Sequence, residues 1–143
     1  MPKRISYEEL TGSPIVVTQE LIKAYADASG DTNRIHLDPE FAQGTSFGRI
    51  IAHGMMTLSL IDQMMIKQFG TAWSNKGILK SKFRGAAGVG DRIASSATLK
   101  SEKQLEGFLR LTFDVAVRNL DTHNLLVGGT CSLDVPNLEK VLL

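Results

Sequence analysis

Hydrophobic and polar residues follow two different periods along this chain, and the change falls near residue 74. Before that point, apolar residues recur at helical spacing. After it, they alternate with polar residues in the period of two that is typical of β-strands. This alternation is strongest over residues 109–117 and is repeated over residues 125–135. The second part of the chain is therefore predicted to form antiparallel sheet.

Two weaker strand patterns precede the strong ones, at residues 78–84 and 93–99. Residues 119–124 are rich in turn formers and separate the two strong strands. The pattern predicts a meander of four strands. A further short strand is expected at residues 15–17, after an irregular start to the chain.

The helical part contains recognisable start and stop signals. Thr18 is a suitable N-cap for a helix that Gly30 can end in the left-handed conformation. Asp38 and Pro39 then provide the N-cap and first position of a short helix that reaches about Gln43.

A longer helix is expected from Met55 to about Gln68, closed by Gly70. It is apolar on more than one stripe, which is typical of a helix that is packed on most of its sides. One buried helix wrapped by an antiparallel sheet is an α+β fold, and a chain of 143 residues suits a single domain over residues 1–143.

Composition narrows the function classes. A net charge of +1 provides no global field for nucleic acid or an acidic membrane surface. Residues 50–69 are too polar to span a membrane, and no secretion signal opens the chain. Cys131 is the single cysteine, which fits a reducing compartment, so a cytoplasmic location is expected.

Asp31 and His36 are the first candidates for chemistry. They are predicted to lie in a loop, neither of them on a regular element, so the loop must fold back to bring them together. A carboxylate beside an imidazole suits proton transfer near neutral pH, and Asn33 between them can orient a water molecule. The alternative is an ordinary polar turn with a structural histidine, and spacing alone favours that alternative.

Gly54 is the second candidate, in the run Ala52-His53-Gly54 ahead of the long helix. Free N–H groups at a helix N-terminus stabilise negative charge, and a glycine lets a substrate approach them closely. The alternative makes Gly54 a loop residue and His53 a cap or packing residue. No cluster has metal-ligand spacing and no phosphate-binding loop is present in the sequence, so neither metal nor cofactor is expected.

Residues 25–36, YADASGDTNRIH, resemble the signature of the MaoC-like hydratases, the (R)-specific enoyl-CoA hydratases. Residues 50–55, IIAHGM, resemble a second block of that family at a matching separation. Weaker similarities follow at residues 82–91 and 127–130, so the resemblance extends from about residue 16 to residue 133.

The resemblance implies a hotdog fold, in which a curved antiparallel sheet wraps a long central helix and two subunits pair to a homodimer or a higher homo-oligomer. It implies that Asp31 and His36 form a catalytic dyad, that Asn33 helps to hold water and that the Gly54 N–H faces the thioester carbonyl. The implied reaction is reversible addition of water to the 2,3 double bond of an enoyl thioester of coenzyme A or acyl carrier protein. Acid and base roles within the dyad stay open.

Three positions depart from the family pattern. Arg34 replaces a usual proline, and we expect it to loosen the loop and add a cation near the dyad. The run Arg84-Gly85-Ala86-Ala87 replaces a usual Pro-Val. Asp62 stands where a small residue is common, and it either makes the acyl pocket narrower or polar or caps a neighbouring loop. These features favour short or polar acyl groups.

Two other functions remain open at this point. One is a thioesterase on the same fold, because a fold does not determine a function. The other is a non-catalytic acyl-binding subunit, against which the presence of both dyad residues argues.

Overall fold

A computed structural model describes residues 7–137, which form an antiparallel sheet around a long helix. The strands are β1 (Glu9–Thr11), β2 (Ile15–Val16), β3 (Ile78–Phe83), β4 (Arg92–Leu105), β5 (Phe108–Asn119) and β6 (Leu125–Pro136). The helices are α1 (Gln19–Ser29), α2 (Arg34–Leu37), α3 (Pro39–Gln43), α4 (Gly54–Phe69) and α5 (Thr71–Lys76).

The strands are ordered β1-β4-β5-β6-β3, and β2 also pairs with β4. The three long strands β4, β5 and β6 form the predicted meander, but β3 lies beside β6 rather than beside β4. The reason is the segment of residues 84–91, which crosses the molecule instead of turning back. Ala87 accepts a hydrogen bond from the N–H of Ala52 at 2.7 Å, and Asp91 accepts one from Val17 at 2.9 Å. These contacts carry the chain to the opposite side of the sheet before β4 begins.

Helix α4 lies in the core, as its apolar pattern predicts. Its buried residues fall on adjacent stripes rather than on one: Met56, Thr57, Leu60, Ile61, Met64 and Met65. The sheet covers them with fully buried side chains that include Phe113 on β5 and Ile93 on β4. Burial of this apolar surface stabilises the fold by about 1.5–3 kcal/mol for each large side chain. The α4 N-terminus is therefore held in a fixed place relative to the sheet.

The predicted signals of the short helices are confirmed. Thr18 accepts a hydrogen bond from the N–H of Leu21, and Gly30 ends α1 at φ 79°. Asp38 caps α3 by accepting from Glu40 and Phe41. Local side-chain chemistry thus fixes the chain on both sides of residues 31–37.

The predicted irregular start covers residues 1–14, of which residues 1–6 lie outside the described part. Among residues 7–14, the structure has an additional short strand, β1. Among residues 7–137, none of the helices combines the length and apolar character that crossing a bilayer demands.

Candidate functional site

Asp31 lies in a tight turn that follows the left-handed Gly30. Its carboxylate accepts a hydrogen bond from the N–H of Asn33 at 3.2 Å, and its own N–H donates to the Ser29 hydroxyl at 3.1 Å. The side chain is exposed. The second carboxylate oxygen is therefore open to a substrate or a water molecule.

His36 lies on α2, so the prediction that it belongs to an irregular loop is wrong. The four-residue helix forms because the Asn33 side chain caps it, accepting a hydrogen bond from the N–H of Ile35 at 3.1 Å. The helix turns the His36 ring inward, where the residue is only 8% exposed. The side-chain oxygen of Asn33 is used in the cap, while its amide N–H groups can still donate to water or substrate.

The His36 ring has a defined tautomer. Its Nδ1 lies 2.7 Å from the backbone carbonyl oxygen of Ile51. Because a carbonyl oxygen only accepts, Nδ1 carries the proton and donates it to this bond. In the neutral ring Nε2 is then the proton acceptor, and in the charged ring it is a donor.

Gly54 is the first residue of α4, where the N–H groups have no partner within the helix. The aromatic ring of Phe83, at the end of β3, packs against Gly54 from the outside. The α4 N-terminus thus presents backbone donors and a partial positive charge beside an aromatic wall.

His53 joins these pieces, and sequence reasoning did not assign it to the site. Its Nε2 donates to the backbone carbonyl of Asp31 at 2.9 Å. Its ring stacks on that of His36, with centroids 3.8 Å apart and planes at 25°, and the Tyr25 ring lies 4.8 Å away. His53 is the N-cap residue of α4 by position, but its side chain makes no capping bond there and instead packs against the rings of His36 and Tyr25.

The signal that could have identified His53 is its position. It directly precedes the glycine at the helix N-terminus, so its side chain must point near the same donors. The acceptor contributed by Ile51 had no signal, because it is a backbone atom.

The structure therefore brings Asp31, His36 and His53 together. Each offers an atom able to hold a metal ion, and these atoms lie within 4.8 Å of one another. Two rings stacked at 25° hold their lone pairs in nearly parallel planes, so both lone pairs cannot point at one nearby ion as tetrahedral ligands must. The arrangement suits proton exchange better than metal binding.

Arg34 does not loosen the turn. It is the first residue of α2, a position that proline also favours. Its guanidinium pairs with Asp38 at 3.0 Å and lies over the Phe41 ring at 4.6 Å. This hydrogen bond lowers the pKa of the Asp38 carboxyl below its ordinary value. The extra cation is thus already engaged by its neighbours.

Asp62 is likewise engaged, because its carboxylate accepts a hydrogen bond from Trp73 Nε1 at 2.7 Å. It holds α5 against α4, which supports the capping interpretation of this residue. The unusual run from Arg84 to Ala87 lies beside the site, since Ala87 bonds Ala52 just before His53. Lys80, Lys82 and Arg84 are exposed around a shallow surface cavity of about 420 Å³.

The chain is similar to proteins of one family. The model of the MaoC-like domain family matches residues 3–118. The 3-hydroxyacyl-thioester dehydratase Z of Mycobacterium tuberculosis is 34% identical over 108 residues, which is 72% of each chain. The (R)-specific enoyl-CoA hydratase of Rhodospirillum rubrum is 30% identical over 126 residues, covering 84% of this chain and 81% of that one.

The solved structure of the (R)-hydratase from A. caviae has the same fold, with a TM-score of 0.75 over 90% of this chain and 94% of that one, at 24% identity. The predicted α+β hotdog fold is thereby confirmed. The predicted enzyme class is also confirmed at the level of the family, since the relatives are named as dehydratase and hydratase, which are hydro-lyases. The chain belongs to the MaoC-like dehydratase family.

Proposed function

We propose that this chain is an (R)-specific enoyl-thioester hydratase, or the 3-hydroxyacyl-thioester dehydratase that runs the same reaction backwards. The observation that carries the proposal is the convergence of Asp31 and His36 with the N-terminus of α4, which follows them along the chain. The names of the relatives support an acyl thioester as the substrate.

In this proposal the thioester carbonyl lies at Gly54. Charge that develops on its oxygen as water adds is stabilised by the N–H of Gly54 and by the helix dipole. Loss of such a donor typically costs about 3 kcal/mol of transition-state stabilisation. The ring of Phe83 excludes water from the same place.

The dyad moves two protons. Water oxygen bonds to C3 and gives up a proton, the 2,3 double bond opens, and C2 takes a proton. Asp31 and His36 act as one coupled unit that accepts the first proton and supplies the second. His36 takes part through Nε2, because its Nδ1 is bonded to Ile51. The amide of Asn33 holds the water, and elimination reverses these steps.

The direct test is hydration of crotonyl-CoA, followed by loss of absorbance of the conjugated thioester and by chiral analysis of the product. We expect (3R)-hydroxybutyryl-CoA from the wild type. Asp31→Asn and His36→Gln should each lower kcat by about 100-fold or more, with circular dichroism unchanged. An inactive wild type on short, long and dicarboxylic enoyl thioesters of both carriers contradicts the proposal. Release of free thiol instead identifies a thioesterase.

We further propose that a second copy of the chain completes the protein. Strand β3 pairs only with β6 among the described strands, so one edge offers free backbone groups. Ile78 and Phe83 at its two ends are 57% and 52% exposed. Light scattering is expected to give twice the chain mass of 15.6 kDa, or a multiple of it. A fully active monomer would contradict this.

A further inference from the structure

We propose that His53 is the positioning residue of the dyad. It holds Asp31 and His36 at fixed positions and orientations relative to each other and to the Gly54 N–H. The inference rests on the proposed function and extends it to a residue that touches neither the reacting carbons nor the thioester oxygen. Its basis is burial: His53 is 1% exposed, between the turn of Asp31 and the ring of His36.

The first task of His53 is to fix the direction of the His36 ring. The bond from Nδ1 to the Ile51 carbonyl fixes one atom of that ring but leaves the ring free to tilt about the bond axis. A flat ring 3.8 Å away blocks this tilt. The stack therefore decides where Nε2 points, and Nε2 is the atom that exchanges protons.

The second task is to anchor the Asp31 turn. The other hydrogen bonds of Asp31 go to Ser29 and Asn33, its close neighbours in sequence. Those bonds shape the turn but do not tie it to the rest of the molecule. The 2.9 Å bond from His53 Nε2 to the Asp31 carbonyl links it to the start of α4, 22 residues along the chain.

The position of His53 in the sequence extends this role to the thioester. Gly54 follows it directly, so the same short segment sets the position of the Gly54 N–H and of both dyad residues. Displacement of reacting groups by about 1 Å can cost on the order of 100-fold in rate. Loss of His53 is therefore expected to lower kcat more than it raises KM.

The buried Nδ1 of His53 distinguishes this role from direct proton transfer. With Nε2 protonated and bonded to Asp31, Nδ1 is the remaining acceptor, and it finds no partner among the residues that the structure describes. At 1% exposure the residue is also out of reach of bulk water. It acts through Asp31 and His36, to which it is joined by a hydrogen bond and a ring stack.

Three substitutions separate the two tasks. His53→Phe keeps a flat ring for the stack and loses the donor, whereas His53→Gln keeps a donor near the Nε2 position and loses the ring. We expect each to lower kcat by about tenfold, and His53→Leu, which lacks both, by about 100-fold, with KM changing less than about threefold. His53→Asn is the matched control for Gln, because its amide reaches only the Nδ1 position. Gln should therefore retain more activity than Asn.

An NMR measurement reports the stack independently of activity. The chain has three histidines, and exposed His123 serves as an internal reference. The ring current of His53 should shift the Hε1 signal of His36 away from that of His123 in the wild type and in His53→Phe, since both have a ring at this position. The shift should disappear in His53→Leu and His53→Gln.

The outcomes are distinct. Active wild type with unaltered kcat in folded His53→Leu overturns this inference and leaves the proposed function standing, as does an unshifted His36 signal in active wild type. Inactive wild type overturns the proposed function and this inference with it. If His53→Leu does not fold, the Phe, Gln and Asn variants decide the question by the same kcat criterion.

Discussion

Phe83 lies directly against Gly54: a Cβ atom placed on Gly54 would be 3.0 Å from Cε1 of the Phe83 ring and 3.2 Å from Cδ1. The Phe83 side chain reaches from the end of β3 to the first residue of α4, so any side chain larger than that of glycine at residue 54 would have to displace the ring. The contact connects the sheet edge to the helix N-terminus on which the proposed thioester site depends.

Gly54→Ala should therefore lower kcat/KM by about tenfold or more, because the new methyl group pushes Phe83 outward and crowds the N–H donor. Phe83→Leu removes the ring and should restore part of the loss in the double variant. A double-mutant cycle on kcat/KM measures the coupling. Strictly additive effects of the two substitutions would show that the ring and Gly54 act independently.

Gly129→Ala should destabilise the protein strongly. A Cβ at Gly129 would overlap the carbonyl oxygen of Lys80 and lie 2.8 Å from the Cα of Ser81, both in the backbone of β3. We expect a loss of about 3 kcal/mol or more in the free energy of unfolding, measured in urea.

Gly128→Ala is the matched control for this substitution. Its Cβ would meet only the end of the Leu125 side chain, at 3.1 Å, and that side chain can move. The expected loss is below about 1 kcal/mol. Equal losses for Gly128→Ala and Gly129→Ala would contradict the close pairing of β3 with β6.

Asp62→Ala should lower the free energy of unfolding by about 1–2 kcal/mol, because it removes the acceptor of the buried Trp73 N–H. Asp62→Asn keeps an acceptor oxygen and should recover most of the loss. Trp73 is the single tryptophan, so its fluorescence follows unfolding directly. Neither variant is expected to alter preference among acyl lengths. A changed preference in both would instead assign Asp62 to the acyl pocket.

Cys131 should be inert in the folded protein. Burial raises the pKa of its thiol to about 12, compared with about 8.5 for an unfolded thiol. At about pH 8 the native thiolate population is then on the order of 1000-fold lower, so a thiol reagent should label the chain only after denaturation.

The same shift makes stability depend on pH. Above about pH 8.5 the unfolded thiol loses its proton, while the folded thiol keeps it until about pH 12. The Cys131 contribution to stability is thus fully present below about pH 8.5 and is lost as the pH rises from there towards 12. In Cys131→Ala the free energy of unfolding should fall less steeply over that pH range than in the wild type. If it falls equally steeply in both proteins, the pH dependence does not arise from Cys131.

Local chemistry accounts for what the sequence could predict. Thr18, Gly30 and Asp38 form their helix-ending hydrogen bonds with residues within four positions of themselves. Their roles can therefore be predicted from the local sequence alone. The long strands follow from alternation. Helix α2 escaped prediction because four residues are too few to show a period, although Asn33 is a standard N-cap.

The rest of the site could not be predicted, because it depends on contacts that leave no pattern of side chains in the sequence. The acceptor for His36 is the backbone carbonyl of Ile51, 15 residues away. The stack with His53 forms only when α2 and α4 have been brought together by the core. The place of β3 beside β6 is likewise set by the crossing of residues 84–91 through the bonds of Ala87 and Asp91.

The candidate site residues all lie in one stretch of the chain, residues 31–54: Asp31, His36, His53 and Gly54. Of the surrounding strands, β3 contributes the Phe83 ring that packs against Gly54. Because the site residues are contiguous in sequence, they can be transferred together. One contiguous segment, residues 31–54, can be exchanged between relatives as a cassette, with the recipient's sheet and the part of α4 that follows Gly54 left in place. Activity measurements on such chimaeras would show whether this segment carries the proposed reaction and whether the rest of the chain determines the preferred acyl group.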